Sequence, residues 1–375
     1  MRALLILACA MLALLTIADA VSGRSSPRSS VAALLTETNP PPGFAYALAP
    51  RSLNFPRDHG AHPRFRSEWW YFTGNLADGE RAFGFQLTIF RFALRPQDVN
   101  STSPWRSNQI YLGHFAVSDI GAERFFSAER RARAALNRAG VKHEPAGIWI
   151  TDWRIDQLDP VTETWRLTAE MSEAAIDLIV EAQKPIVLQG DRGLSQKSSA
   201  AGNASYYYSI PRFAARGALR TGTREHSVTG SAWFDHEWST SALADGQVGW
   251  DWFSLQLEDG RDLMFYQIRN AADRADTASH GVIVGADGKS ELLLPSDIEL
   301  SVTDYWKSVA SGGRYPARWR MRIREHGLDI TIAPRLPAQE WHKNFTYWEG
   351  AVAVTGEANG AAVGGHGYVE LVGYE

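Results

Sequence analysis

Slide the chain along itself until Trp69 lies on Trp250, and one hairpin comes into register with another. Phe72 falls on Phe253, Leu76 on Leu257 and Asp78-Gly79 on Asp259-Gly260. Past the turn, Phe85-Gln86-Leu87 falls on Tyr266-Gln267-Ile268. Further along, Trp165-Arg166-Leu167 matches Trp319-Arg320-Met321, each leading into an Asp-Leu-Ile or Asp-Ile-Thr segment, and Gly230 to Asp235 matches Gly365 to Glu370 more weakly. Matches in one order imply duplication of a single unit. That unit is β: short aromatic and β-branched runs such as Ala82 to Phe92, Gln109 to Ser118, Ile176 to Val180, Ser227 to Phe234 and Leu328 to Ile332 are broken by Gly, Pro and Asp-Gly. The Asp-Gly pairs predict type I′ hairpin turns. The expectation is an all-β chain of two tandem antiparallel barrel or sandwich domains, residues 44–240 and 241–375. From Phe44 onward only the basic stretch Glu129 to Arg138 reads as helical.

A length of 375 residues suits two such domains. Lys plus Arg number 38 against 42 for Asp plus Glu, a formal charge of −4, which argues against a nucleic-acid binder held by phosphate contacts. Arg2, the apolar run Ala3 to Ile17 and Ala18-Asp19-Ala20 read as an export leader over residues 1–20, cleaved after Ala20, so the mature chain is expected in the periplasm or outside the cell. No later run is apolar for the roughly 18 residues a second span needs. Cys9 is the sole cysteine and lies in the leader, which leaves the mature chain without disulfides or cysteine metal ligands. Residues 21–43, Ser- and Pro-rich and ending in Pro40-Pro41-Pro42-Gly43, read as a linker. With 14 Trp, 16 Phe and 12 Tyr, the chain has the material for an aromatic-walled site.

The segment Phe55-Pro56-Arg57-Asp58-His59-Gly60-Ala61-His62, continued through Glu68-Trp69-Trp70-Tyr71, resembles the signature of the AttH-like and carotenoid 1,2-hydratase (hydroxyneurosporene synthase) family. The resemblance runs on through Trp233-Phe234-Asp235-His236-Glu237-Trp238, Trp250 to Arg261, Tyr347-Trp348-Glu349-Gly350-Ala351 and Gly367-Tyr368-Val369-Glu370. It implies two lipocalin-like β domains, export, and a long apolar ligand (isoprenoid, polyene or lipid) held in a cavity between the domains. For the hydratase branch it implies acid-catalysed addition of water to an isoprenoid double bond, without a cofactor. It equally implies a non-enzymatic reading, a carrier working with ABC-type transporter components. His236-x-Trp238 matches a motif of the hydratase branch. That branch also has a carboxylate close to the strand tyrosine, where this chain reads Tyr266-Gln267-Ile268.

Protonating an alkene needs a carboxylic acid kept neutral by apolar surroundings, and the resulting cation needs aromatic faces. Strand alternation over Gly230 to Trp238 puts Phe234, His236 and Trp238 on one face and Trp233, Asp235 and Glu237 on the other. Under the hydratase reading Asp235 or Glu68 donates the proton, His236 and Tyr266 position water, and Trp238 steadies the cation. Trp69, Tyr71, His114, Trp250 and Trp252 then line the ligand site. Simple burial also accounts for Trp69, Trp70, Trp250 and Trp252, and a hydrogen-bonded core histidine for His114. Asp58, His59 and His62 lack a third ligand at metal-site spacing, so no metal is expected, and Asp58 suits a turn that bonds backbone amides. No G-x-S-x-G accompanies Asp235-His236-Glu237, which argues against a hydrolase relay.

Overall fold

The computed structural model describes residues 42–96, 103–241, 243–272 and 274–374; the leader and most of the linker lie outside them. The described chain forms two antiparallel sheets that curl toward closure, with no α-helix among the described residues. The first contains β1 (Ser67–Asp78), β2 (Arg81–Ala93), β3 (Gln109–Asp119), β4 (Arg124–Arg133), β5 (Ala139–His143), β6 (Ala146–Ile150), β7 (Trp153–Asp159), β8 (Thr164–Glu170), β9 (Ala174–Ala182), β10 (Val187–Leu188), β11 (Leu194–Gln196), β12 (Ala204–Thr221) and β13 (Arg224–Ser239). The second contains β14 (Gln247–Leu257), β15 (Asp262–Asn270), β16 (His280–Val284), β17 (Ser290–Leu293), β18 (Glu299–Lys307), β19 (Arg314–Ile323), β20 (Leu328–Pro334), β21 (Glu340–His342), β22 (Thr346–Ala358) and β23 (Ala361–Val372).

Their orders are β4-β3-β2-β1-β13-β12-β9-β8-β7-β6-β5 and β17-β16-β15-β14-β23-β22-β20-β19-β18, the same path except that β5 and β6 have no counterpart. The register repeats as well. Gly230 stands opposite Leu76 and Gly365 opposite Leu257, which puts Asp235 opposite Tyr71 and Glu370 opposite Trp252. Arg166 pairs diagonally with Asp177 at 2.7 Å, and Arg320 with Asp329 at the same distance and offset. This is the all-β, tandem lipocalin-like architecture expected from the repeat and the resemblance.

Two local expectations fail. In the first hairpin Asp78 closes the ladder opposite Arg81, and only Gly79 of the Gly79-Glu80 loop has positive φ, at 59°. That is the type II′ pattern, not I′, because glycine occupies the first central position. In the second hairpin the Leu257 N–H donates to Arg261 O at 2.8 Å around Glu258-Asp259-Gly260, so this return strand is offset from the first. Tyr266 therefore faces Trp252, whereas its sequence match Phe85 faces Gly74. The expected helix at Glu129 to Arg138 is instead the end of edge strand β4 followed by a 3-10 turn at Ala135–Asn137. Charges on an edge strand resist pairing with another sheet, which accounts for a strand carrying so much arginine.

Where the sheets meet, strands such as β1, β2 and β14 are buried on both faces. Trp70, Phe72, Trp165, Tyr208, Phe234 and Trp238 fill the first barrel; Phe253, Phe265, Trp319, Ile330 and Trp348 fill the second. The opposite faces of β1, β13, β14 and β23 meet across a seam cored by Tyr71, Trp233, Trp252, Tyr266, Trp341 and Tyr347. Each large side chain so buried contributes about 1.5–3 kcal/mol. The seam is close: a Cβ added at Gly84 on β2 would lie 2.7 Å from the Ala351 Cβ on β22. Residues ahead of β1 strap the first barrel, with the Trp70 indole donating to His59 O at 2.8 Å and the Ala45 N–H to Arg64 O at 2.9 Å.

Candidate functional site

Where the two outer faces meet, they leave a cavity of about 100 Å³. Trp69, Tyr71, Asp235 and Glu237 form the wall from the first sheet; Trp250, Trp252, Tyr266, Ile268 and Glu370 form the wall from the second. Lys197, Tyr207 and Tyr347 also line it. Its acids stand at equivalent positions of the repeat, since β13 and β23 present Asp235 and Glu370 at the same register.

Asp235 accepts hydrogen bonds from the Tyr207 hydroxyl at 2.7 Å, Ser209 Oγ at 2.5 Å and the Trp233 indole at 2.8 Å. Burial nevertheless drives its carboxyl up to about 7, because removing a charge from water outweighs the three donors. Glu370 accepts from the Trp250 indole at 2.6 Å. Burial, reinforced by the charges of Asp235 and Glu237, lifts it to about 7 as well. Lys197 Nζ lies 2.9 Å from Glu237 Oε1 and 4.3 Å over the Tyr266 ring, so this lining cation already has an anionic partner. The Tyr266 hydroxyl is held by Ser195 Oγ at 2.9 Å and His280 Nδ1 at 3.0 Å. Carboxyls poised between neutral and charged, in an aromatic enclosure, can give or take a proton and shelter a carbocation.

The cavity thus gathers Asp235, Tyr266, Trp69, Tyr71, Trp250 and Trp252. It does not gather Glu68, His236 and Trp238, which point into the first barrel because they alternate with the residues that face the seam. There Glu68 accepts from Arg91 Nε at 2.7 Å, His62 Nδ1 at 2.7 Å and His236 Nε2 at 3.0 Å. Burial holds His236 down at about 4, so it is neutral at pH 7. Trp238 stacks on the His62 ring at 3.7 Å. His114 stays in the seam, 2.7 Å from the Tyr347 hydroxyl and stacked on Trp341 at 4.2 Å, outside the cavity lining. Asp58 accepts from the Asn54 N–H at 2.6 Å in a turn.

His62, Glu68 and His236 bring potential metal-ligand atoms within 4.8 Å of one another. The Arg91 guanidinium on Glu68 already supplies the positive charge a metal would bring, and the His62 and His236 nitrogens facing Glu68 are engaged with it. The cluster is a closed ion network. Sequence reasoning missed Glu370, Glu349 and Lys197 as site residues. The third repeat match, which carries Glu370 onto Asp235, is the signal that finds the first of them.

Fold and site together define a two-domain, lipocalin-like protein with an acid-bearing aromatic cavity at the domain seam. The chain belongs to the AttH-like family, whose signature matches residues 46–374. The crystal structure of an AttH protein (NE1406) from Nitrosomonas europaea is 32% identical, with a TM-score of 0.78 over 88% of this chain and 100% of that one. Kievitone hydratase from Nectria haematococca shares the fold at 14% identity, with a TM-score of 0.66 over 88% of this chain and 96% of that one. CghA with Sch210972 shares it at 15% identity and a TM-score of 0.52, covering 91% and 97% of the two chains. No curated protein sequence matches.

Proposed function

We propose that the seam cavity binds the unsaturated end of an apolar small molecule, isoprenoid, polyene or lipid-like, and that its acids add water to the double bond or drive its cyclisation. One observation carries the reading. Asp235 and Glu370, two carboxyls near half-protonation at neutral pH, face the same aromatic cavity from equivalent strands. A hydratase among the structural neighbours agrees with it. The acid missing beside Tyr266, where Ile268 follows, is replaced by acids from β13 and β23. Size bounds the guest: an engineered apolar cavity of roughly 150 Å³ holds benzene, so the seam cavity admits a branched end of about five carbons and leaves the rest of a long chain outside. The leader-like residues 1–20 support placing the reaction outside the cytoplasm.

Purified protein incubated in D₂O with an acyclic carotenoid and shorter isoprenoids tests this. The expected product has gained one water, with deuterium on carbon. Asp235→Asn and Glu370→Gln should each lower its rate by roughly 10²–10⁴, while Glu68→Gln, behind the sheet, leaves turnover in the folded protein near wild type. Product formed at an unchanged rate by both acid variants refutes the assignment. Native mass spectrometry showing a co-purified lipid with no turnover of any isoprenoid identifies a carrier instead, and a bound transporter component in the same spectrum would give that carrier its partner.

A further inference from the structure

The two cavity acids sit at equivalent positions but are backed differently. Opposite Asp235 on the neighbouring strand stands Ser209; opposite Glu370 stands Glu349. Serine can donate a hydrogen bond to a carboxylate but cannot give it a proton. A second carboxyl can.

Glu349 is fully buried. Its Oε2 accepts from the Tyr71 hydroxyl at 3.0 Å, across the seam. Its Oε1 meets no N–H or O–H donor among the described residues. Glu370 stands directly opposite Glu349 on β23, and two carboxyls facing each other away from water cannot both carry charge, so the pair holds a proton between them. Burial first, and then the charge of Glu370, hold Glu349 well above the usual carboxylate range. Asp235 is the contrasting case. Three donors converge on its two oxygens, the arrangement that suits a carboxylate.

Building on the proposed alkene chemistry, we infer that Glu370 is the proton donor, that Glu349 is the positioning residue keeping it protonated, and that Asp235 is the base. The Glu370 O–H bond breaks as a C–H bond forms at one alkene carbon, leaving a cation on the other. Water adds its lone pair to that cation, and the proton lost from the new oxonium goes to the Asp235 carboxylate. Alkene and water become alcohol, and the proton on Asp235 returns to the Glu349–Glu370 pair before the next turnover.

Infrared titration of the intact protein without substrate reads the shared proton directly. Wild type should keep a protonated-carboxyl band above pH 8, and Glu349→Gln should lose it. Glu370→Gln should keep the band but shift it, because the partner across the strand becomes an amide. If Glu349→Gln does not fold, the Glu370→Gln shift decides alone. A band unchanged in Glu349→Gln, or unmoved in Glu370→Gln, overturns the dyad. On any isoprenoid that turns over, Glu349→Gln should lower kcat roughly tenfold or more with KM little changed; an unaltered kcat overturns its role. Because the infrared result needs no turnover, an intact dyad in a protein that converts no isoprenoid would fail the reaction alone. A missing dyad in an active protein would fail the donor assignment alone.

Discussion

The two halves share a strand order but not an interior. Inside the first, Glu163, His59, Tyr208, His236, Glu68 and His62 form a continuous run of side-chain hydrogen bonds, closed by Arg91 on Glu68. Inside the second, Trp348 and Leu371 stand where Tyr208 and His236 stand in the first, and Gly249 stands where Glu68 does. One polar feature survives in both: Arg91 stands opposite Glu68, and Arg269 stands opposite Gly249 at the equivalent register and reaches Asp251 at 3.1 Å. The outer faces are more alike, each carrying an acid at one register and tryptophans beside it. A histidine-rich barrel interior is therefore a property of one copy, whereas the acidic seam is built from both. A polar cluster that only one copy holds, and that is already closed by an arginine, reads as structure.

Breaking that closure should have the largest effect. Arg91→Met strands the Glu68 charge in the first barrel and should cost about 3–5 kcal/mol in urea unfolding. Ile330→Val in the second barrel should cost about 0.5–1.5 kcal/mol. Equal losses would erase the contrast between the interiors.

The seam acids give the next effect, and it depends on pH. Their folded values lie near 7, above the unfolded ones near 4, so their favourable contribution is complete at acid pH and is lost as pH rises toward and through 7. Asp235→Asn and Glu370→Gln should therefore gain stability relative to wild type between pH 4 and 7, at up to about 1.4 kcal/mol per pH unit. His236 tilts the other way. Its contribution is complete above 6.5 and is lost as pH falls through about 4, so over that window it offsets the gain from one of the two seam acids.

Gly84→Val forces a side chain toward Ala351 and should lower stability by about 1–3 kcal/mol, with the two sheets' melting transitions separating if the seam couples them. The smallest effect should come from the matched exposed pairs. Arg166→Ala and Arg320→Ala should each change stability by less than about 1 kcal/mol, and by similar amounts. Unequal values would show that the outward strands have diverged too.

Much of this was legible in the residues. The Trp69-on-Trp250 match gave the duplication, and alternation along β13 sorted Asp235 from His236. The sequence also offered His236, Trp238 and Glu68 as cavity residues, although Asp235 alternates with His236 and both cannot reach the same space. Which face meets the other half is decided only when the sheets pack. Glu349 stayed hidden because its partner Glu370 is brought beside it by the β22–β23 register, and the register depends on a turn that sequence alone does not fix. Tyr266 shows the same limit: the Glu258-Asp259-Gly260 loop moves it opposite Trp252.

A chamber whose walls are related but separately encoded has a freedom that a chamber between identical subunits lacks. There, any substitution strikes both sides of the axis at once. Here Ser209 and Glu349 were free to differ, and a single chain could retain one acid while replacing the group behind the other.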